Sequence, residues 1–140
     1  MNFPLLLKAL GLLFLILATS LLLPSLVGLY YGESESQVFG ISALVIFLIG
    51  VFLSFIFRSA SGKLGSRGAI VLVALVWTSF TLAGAVPFYF SGWLSSLPDA
   101  WFESTSGFTT TGATVFPNVE VLPRAVLAWR SMIQFLGGME

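Results

Sequence analysis

The chain has 140 residues, of which 57% are hydrophobic and only 9% charged, and its mean hydropathy is +1.01. Ordinary soluble domains are roughly 25% charged, so this is the composition of an integral membrane protein. Six basic residues balance six acidic ones without a basic tract, which excludes nucleic acid as a partner. The lack of cysteine and histidine excludes disulfides, thiol chemistry, His-based catalysis and the commonest transition-metal ligand.

Phe3 to Leu29 is apolar apart from Lys8. As a helix it would be about 40 Å long, more than the ~30 Å hydrocarbon core, so it either tilts or ends early at Pro24. A cleaved signal peptide is the rival reading, but no small-x-small cleavage site follows the apolar run. Tyr30 to Gln37 is a short polar loop with two acids, Glu33 and Glu35. Val38 to Phe57 is a second apolar run, 20 residues without a charge, which matches one bilayer crossing.

Arg58 to Arg67 holds three of the six basic residues and no acid. The positive-inside rule makes this loop cytoplasmic, which puts the N-terminus and Lys8 inside and the Glu33/Glu35 loop outside. Residues 1–67 therefore form a first unit of two transmembrane helices. Gly68 to Phe90 is the third span. Gly84 and Ala85 on it are small enough to admit a neighbouring helix, Pro87 is a bend point, and Tyr89, Phe90 and Trp93 form an outer aromatic belt.

The segment after it differs in kind. From Ser104 to Thr114, seven of eleven side chains carry a hydroxyl, and five of the chain's eight threonines lie there. Pro98 opens a short helix that Gly107 and Gly112 interrupt. Pro98 to Phe108 is about 16 Å as a helix, half a membrane, and too polar to cross one. Two readings remain open. One is an extracellular Ser/Thr loop. The other is a re-entrant segment in which a short helix aims its negative end at a cation and the following backbone replaces the ion's water shell. Irregular backbone at that depth has to line a cavity or be wrapped by protein.

Pro123 opens a fourth helix running to the end of the chain, with Arg124, Arg130, Gln134 and the pair Gly137-Gly138. Glu103 and Arg130 would both be buried at depth, where charges usually pair, so a Glu103–Arg130 or Glu103–Arg124 ion pair is expected. Asp99 complements the dipole at the start of the short helix.

Trp101-Phe-Glu-Ser-Thr-Ser-Gly-Phe-Thr-Thr-Thr-Gly-Ala-Thr114, followed by Leu127-Ala-Trp-Arg-Ser-Met-Ile-Gln-Phe-Leu-Gly-Gly-Met139, resembles the Trk-type potassium uptake proteins of the Trk/Ktr/HKT cation transporter superfamily. The resemblance covers essentially the whole chain, with distinctive motifs in the second half. It implies an all-α integral membrane fold. Two extra N-terminal helices precede one membrane-pore-membrane unit over 68–140, with outer helix 68–90, pore helix 98–108, filter 109–114 and inner helix 123–140. It also implies a K+ filter formed by Thr110, Thr111, Gly112 and Ala113, flanked by Thr109 and Thr114, with K+ as the transported ion and no cofactor.

By the same resemblance the protein sits in a bacterial inner membrane. Its expected partners are membrane lipid, the remaining pore units of a longer chain, a second copy in a homodimer, and a cytosolic nucleotide-binding regulatory subunit. Two departures stand out: Glu140 occupies a position where the family continues with glycine, and three further pore units are missing. The resemblance thus implies the N-terminal part of a transporter with a truncated inner helix. One unit supplies carbonyls from one side of an axis only, so this chain alone is expected not to conduct and to pack poorly over residues 100–118. The competing function is a non-conducting membrane assembly or signalling subunit. An intramembrane enzyme is disfavoured, because no His, Cys or Asp lies in an apolar span.

Overall fold

The computed structural model describes residues 2–139, and among them there are five helices and no strand. They are α1 (Phe3–Tyr31), α2 (Glu35–Ile56), α3 (Ser66–Phe90), α4 (Leu97–Phe108) and α5 (Arg124–Gly137). The first three are long and apolar enough to cross a membrane. Each agrees with an expected span to within three residues at either end. Arg67, expected in the basic loop, lies in the first turn of α3.

α1 does not end at Pro24. It continues to Tyr31 with the proline ring fully buried. A proline inside a helix removes one hydrogen bond, but in a membrane helix the cost is tolerable when neighbours pack around it. The helix stops instead at Gly32, whose φ of +70° is left-handed. There Glu33 N–H bonds the Gly28 carbonyl at 2.8 Å and Gly32 N–H bonds that of Leu29 at 3.2 Å, the paired closure typical of a glycine-terminated helix.

That tight turn folds α2 back against α1, and the two helices meet along small residues. Gly11, Ala18 and Ser25 on α1 and Ser36, Ala43 and Gly50 on α2 each recur every seven positions, and all six are buried. A Cβ on Gly11 would stand 2.8 Å from Ser54 Oγ and 2.9 Å from the Gly50 carbonyl. The backbones therefore approach closely, as helices in lipid do when dispersion rather than the hydrophobic effect holds them together. At the far end Lys8 Nζ donates to the carbonyls of Arg58 and Ala60 at 2.9 and 3.1 Å, closing the C-terminal side of α2. The outward faces keep large apolar side chains such as Leu26, Phe52 and Phe55 exposed, as a lipid-facing surface requires.

α3 packs on α4, and α5 packs on α1 and α4. Trp129 of α5 is the largest fully buried side chain. Its indole N–H donates to the Gly84 carbonyl at 3.0 Å, one turn before Pro87. The carbonyl that Pro87 itself leaves without a helical donor is that of Ala83, so Trp129 bonds its neighbour, at a glycine that lets the indole approach the backbone. Phe39, Phe108 and Trp129 stack edge to face around this point and join α2, α4 and α5.

Candidate ion-binding site

α4 starts as the sequence dictates, with Pro98 in its first turn and Asp99 beside the amide-rich N-terminus. It buries Ala100, Glu103, Ser104, Ser106 and Phe108. The hydroxyl-rich run thus splits: Ser104 and Ser106 are buried on opposite sides of α4, the first against Gly84 of α3 and the second against Ala113, while Thr109, Thr110 and Thr111 beyond the helix end are exposed. After Phe108 the chain reverses and runs back beside α4. Thr110 carries φ of +54° and Gly112 φ of +77°. A left-handed β-branched residue is uncommon and strained by about 1–3 kcal/mol, so the surroundings must impose it.

Those surroundings are polar and lie behind the segment. Thr111 N–H bonds the Ser106 carbonyl at 3.0 Å and Ser106 Oγ donates to the Ala113 carbonyl at 2.6 Å. The Glu103 carboxylate, 2% exposed, accepts three hydrogen bonds at once. One oxygen accepts from Thr114 Oγ1 at 2.9 Å and from Val115 N–H at 3.1 Å. The other accepts from Arg130 Nε at 2.6 Å, and α5 is thereby joined to the same carboxylate. The Arg130 guanidinium also lies 5.7 Å over the Phe116 ring. Of the two arginines weighed as partners, Arg130 is the one paired. Arg124 lies instead over Tyr31, 5.9 Å from the ring centroid.

Among the described residues, the carbonyls of Thr110, Thr111 and Gly112 accept no hydrogen bond from the protein, whereas that of Ala113 is occupied by Ser106. The carbonyls of Thr109 and Thr114 are likewise unbonded among the described residues, so Ala113 alone is occupied in the exposed segment, which also offers the Thr109 and Thr111 hydroxyls, 2.8 Å apart. A cavity of about 300 Å³ lies on its other side, lined by Ser106, Gly112, Arg130, Ser131 and Gln134. Residues 100–118, expected to pack loosely throughout, divide in two. The α4 side is tightly packed, and 109–114 is the exposed part. Close packing extends to the glycine pair of α5: a Cβ on Gly137 would run into the Phe108 carbonyl.

The family model described as TrkH, cation transport protein, matches residues 35–140. The chain belongs to the TrkH family. It is 39% identical to the Trk system potassium uptake protein TrkH of Salmonella typhimurium and 38% to that of Escherichia coli K12, over 99% of its own length and 29% of theirs. It superposes on the crystal structure of the potassium transporter TrkH from Vibrio parahaemolyticus with a TM-score of 0.93 at 36% identity, covering 99% of this chain and 30% of that one. The chain therefore spans under a third of the length of these relatives. Family membership and three apolar helices make it a multi-pass membrane protein of a cation-transport family, which points away from an enzyme.

Sequence reasoning singled out Thr109–Thr114, Glu103 and Arg130. It missed Ser106 as a brace on Ala113, Glu33 at the α5 N-terminus and Trp129 on Gly84. Only a capping deficit at Pro123, where no side chain can accept from the first α5 amides, was visible beforehand as a signal.

Proposed function

We propose that this chain supplies one side of a potassium-conducting pore, with Thr110, Thr111 and Gly112 as carbonyl ligands, Ala113 as the braced outer member, and Thr109 and Thr114 flanking them. The observation that carries this reading is the row of carbonyls without a protein hydrogen bond, on exposed residues in a partly left-handed backbone braced by Ser106 and Glu103. An unpaired carbonyl in hydrocarbon costs several kcal/mol, so three in a row call for a polar occupant. A cation stripped of water is the occupant that the potassium-transport relatives suggest. In this reading α4 dips into the membrane from outside and the 109–122 segment returns. α3 and α5 are the outer and inner helices of one membrane-pore-membrane unit, and the α1–α2 pair precedes it. The other sides of the pore come from further units. A homodimer and a nucleotide-binding cytosolic subunit are expected partners by family likeness.

The test is Gly112→Ser. The position has room, since the nearest atom to a Cβ would be Gln134 Nε2 at 3.7 Å, so the effect would come from the +77° φ alone. In a chimaera in which this chain replaces the matching part of the Vibrio parahaemolyticus transporter, the variant should reach the membrane and lose K+ preference. An unchanged K+/Na+ uptake ratio would count against a filter here. Sidedness is tested separately with Tyr30→Cys and Lys63→Cys. Only the first should react with an impermeant thiol reagent on intact bacterial cells, where the N-terminus faces the cytoplasm of an inner-membrane protein.

A further inference from the structure

The start of α5 has no local cap. Pro123 occupies the capping position with suitable dihedrals, φ −54° and ψ 148°, but has no side-chain acceptor. The first amides of a helix need partners, and Arg124 and Ala125 find theirs about 90 residues away. Glu33, in the turn between α1 and α2, accepts from Arg124 N–H at 2.7 Å through one oxygen and from Ala125 N–H at 2.9 Å through the other. A carboxylate at a helix N-terminus gains from both the hydrogen bonds and the dipole.

The surrounding contacts fix the same junction. Arg124 lies over Tyr31, Ala125 is fully buried, and a Cβ on Gly28 would stand 3.1 Å from Ala125 Cβ. One and a half turns further along α5 comes Arg130, which holds Glu103, which in turn holds Thr114 and Val115.

We propose that Glu33 is a positioning residue: it caps α5 from the N-terminal hairpin and so sets the height of Arg130 and the outer end of the 109–114 segment. This rests on the reading of 109–114 as the ion-binding segment, but its first test does not. The extra pair of helices is then more than a lipid-facing addition, since it supplies a part that the pore unit lacks.

Hydrogen exchange of this chain in lipid nanodiscs reads the cap directly. Glu33→Ala should speed exchange at Arg124–Val126 about fivefold, the usual worth of one cap, with a smaller rise for Glu33→Gln, which keeps one acceptor oxygen. Adding Pro123→Asp to Glu33→Ala supplies a local acceptor and should restore protection. In the chimaeric transporter, Glu33→Ala should lower K+ uptake several-fold at equal membrane level, and Pro123→Asp should recover it. Unchanged exchange at Arg124–Val126 would overturn the cap. Faster exchange with unchanged uptake would overturn the positioning role. The filter reading fails on a different result, the K+/Na+ ratio of Gly112→Ser, so the two failures are distinguishable.

Discussion

The α1–α2 hairpin and the α4–α5 unit are both compact, yet they are held by opposite means. Along the hairpin seam there is no ion pair among the described residues; Gly11, Ala18, Ser25, Ser36, Ala43 and Gly50 let two backbones touch. In the α4–α5 unit a single buried carboxylate, Glu103, gathers a guanidinium, a hydroxyl and a backbone N–H. The difference follows from what each must present. A lipid-facing hairpin satisfies its backbone internally, so close packing suffices. Residues 109–114 are exposed and form no regular backbone ladder among the described residues, so the segment has to be held by side chains.

The contrast can be broken most strongly at Arg130. Arg130→Gln leaves Glu103 buried without its countercharge and should destabilise the α4–α5 unit by about 3–5 kcal/mol. Unfolding of the purified protein in detergent measures it. With Glu103→Gln added, the double variant should cost less than the sum of the singles, and strict additivity would mean that the pair does not interact. Gly137→Ala comes next, because its Cβ meets the Phe108 backbone rather than a movable side chain. Overpacking of this kind costs about 1–3 kcal/mol, and α4 and α5 should separate at their lower ends, read as faster exchange at Phe108–Thr111.

The matching lesion in the hairpin is Gly11→Ala, against Ser54 Oγ and the Gly50 carbonyl. It should lower hairpin stability by about 1–2 kcal/mol while leaving exchange at 109–115 unchanged. A change at both places would show that the hairpin reaches that segment through its seam as well as through Glu33. The smallest effect is expected from Ser106→Ala, which removes the donor to the Ala113 carbonyl. It should cost about 1 kcal/mol and appear as local loosening at 113–115 without global unfolding.

Pro24 and Glu33 mark where sequence reading stops. The breaker signal at Pro24 is local and real, but burial against neighbouring helices overrides it. Glu33 reads as a solvated loop acid, because nothing within several residues hints at the two amides it serves.

Hydropathy and chain-local punctuation alone determined the three spans to within three residues, the short helix from Pro98 to Phe108 (observed from Leu97), its hydroxyl-rich C-terminal continuation and the break at Gly112. Each depends on neighbours within a turn or a bilayer's thickness, so a one-dimensional pattern carries it. Only the tertiary structure decided which arginine Glu103 takes, which carbonyl Ser106 occupies, and that Glu33 closes α5. Glu103–Arg130 spans 27 positions and Glu33–Arg124 spans 91, and a buried charge selects its partner by distance in space. That selection exists only after α1, α4 and α5 have packed, since packing alone brings a carboxylate within reach of one donor and leaves its rival, Arg124, against Tyr31.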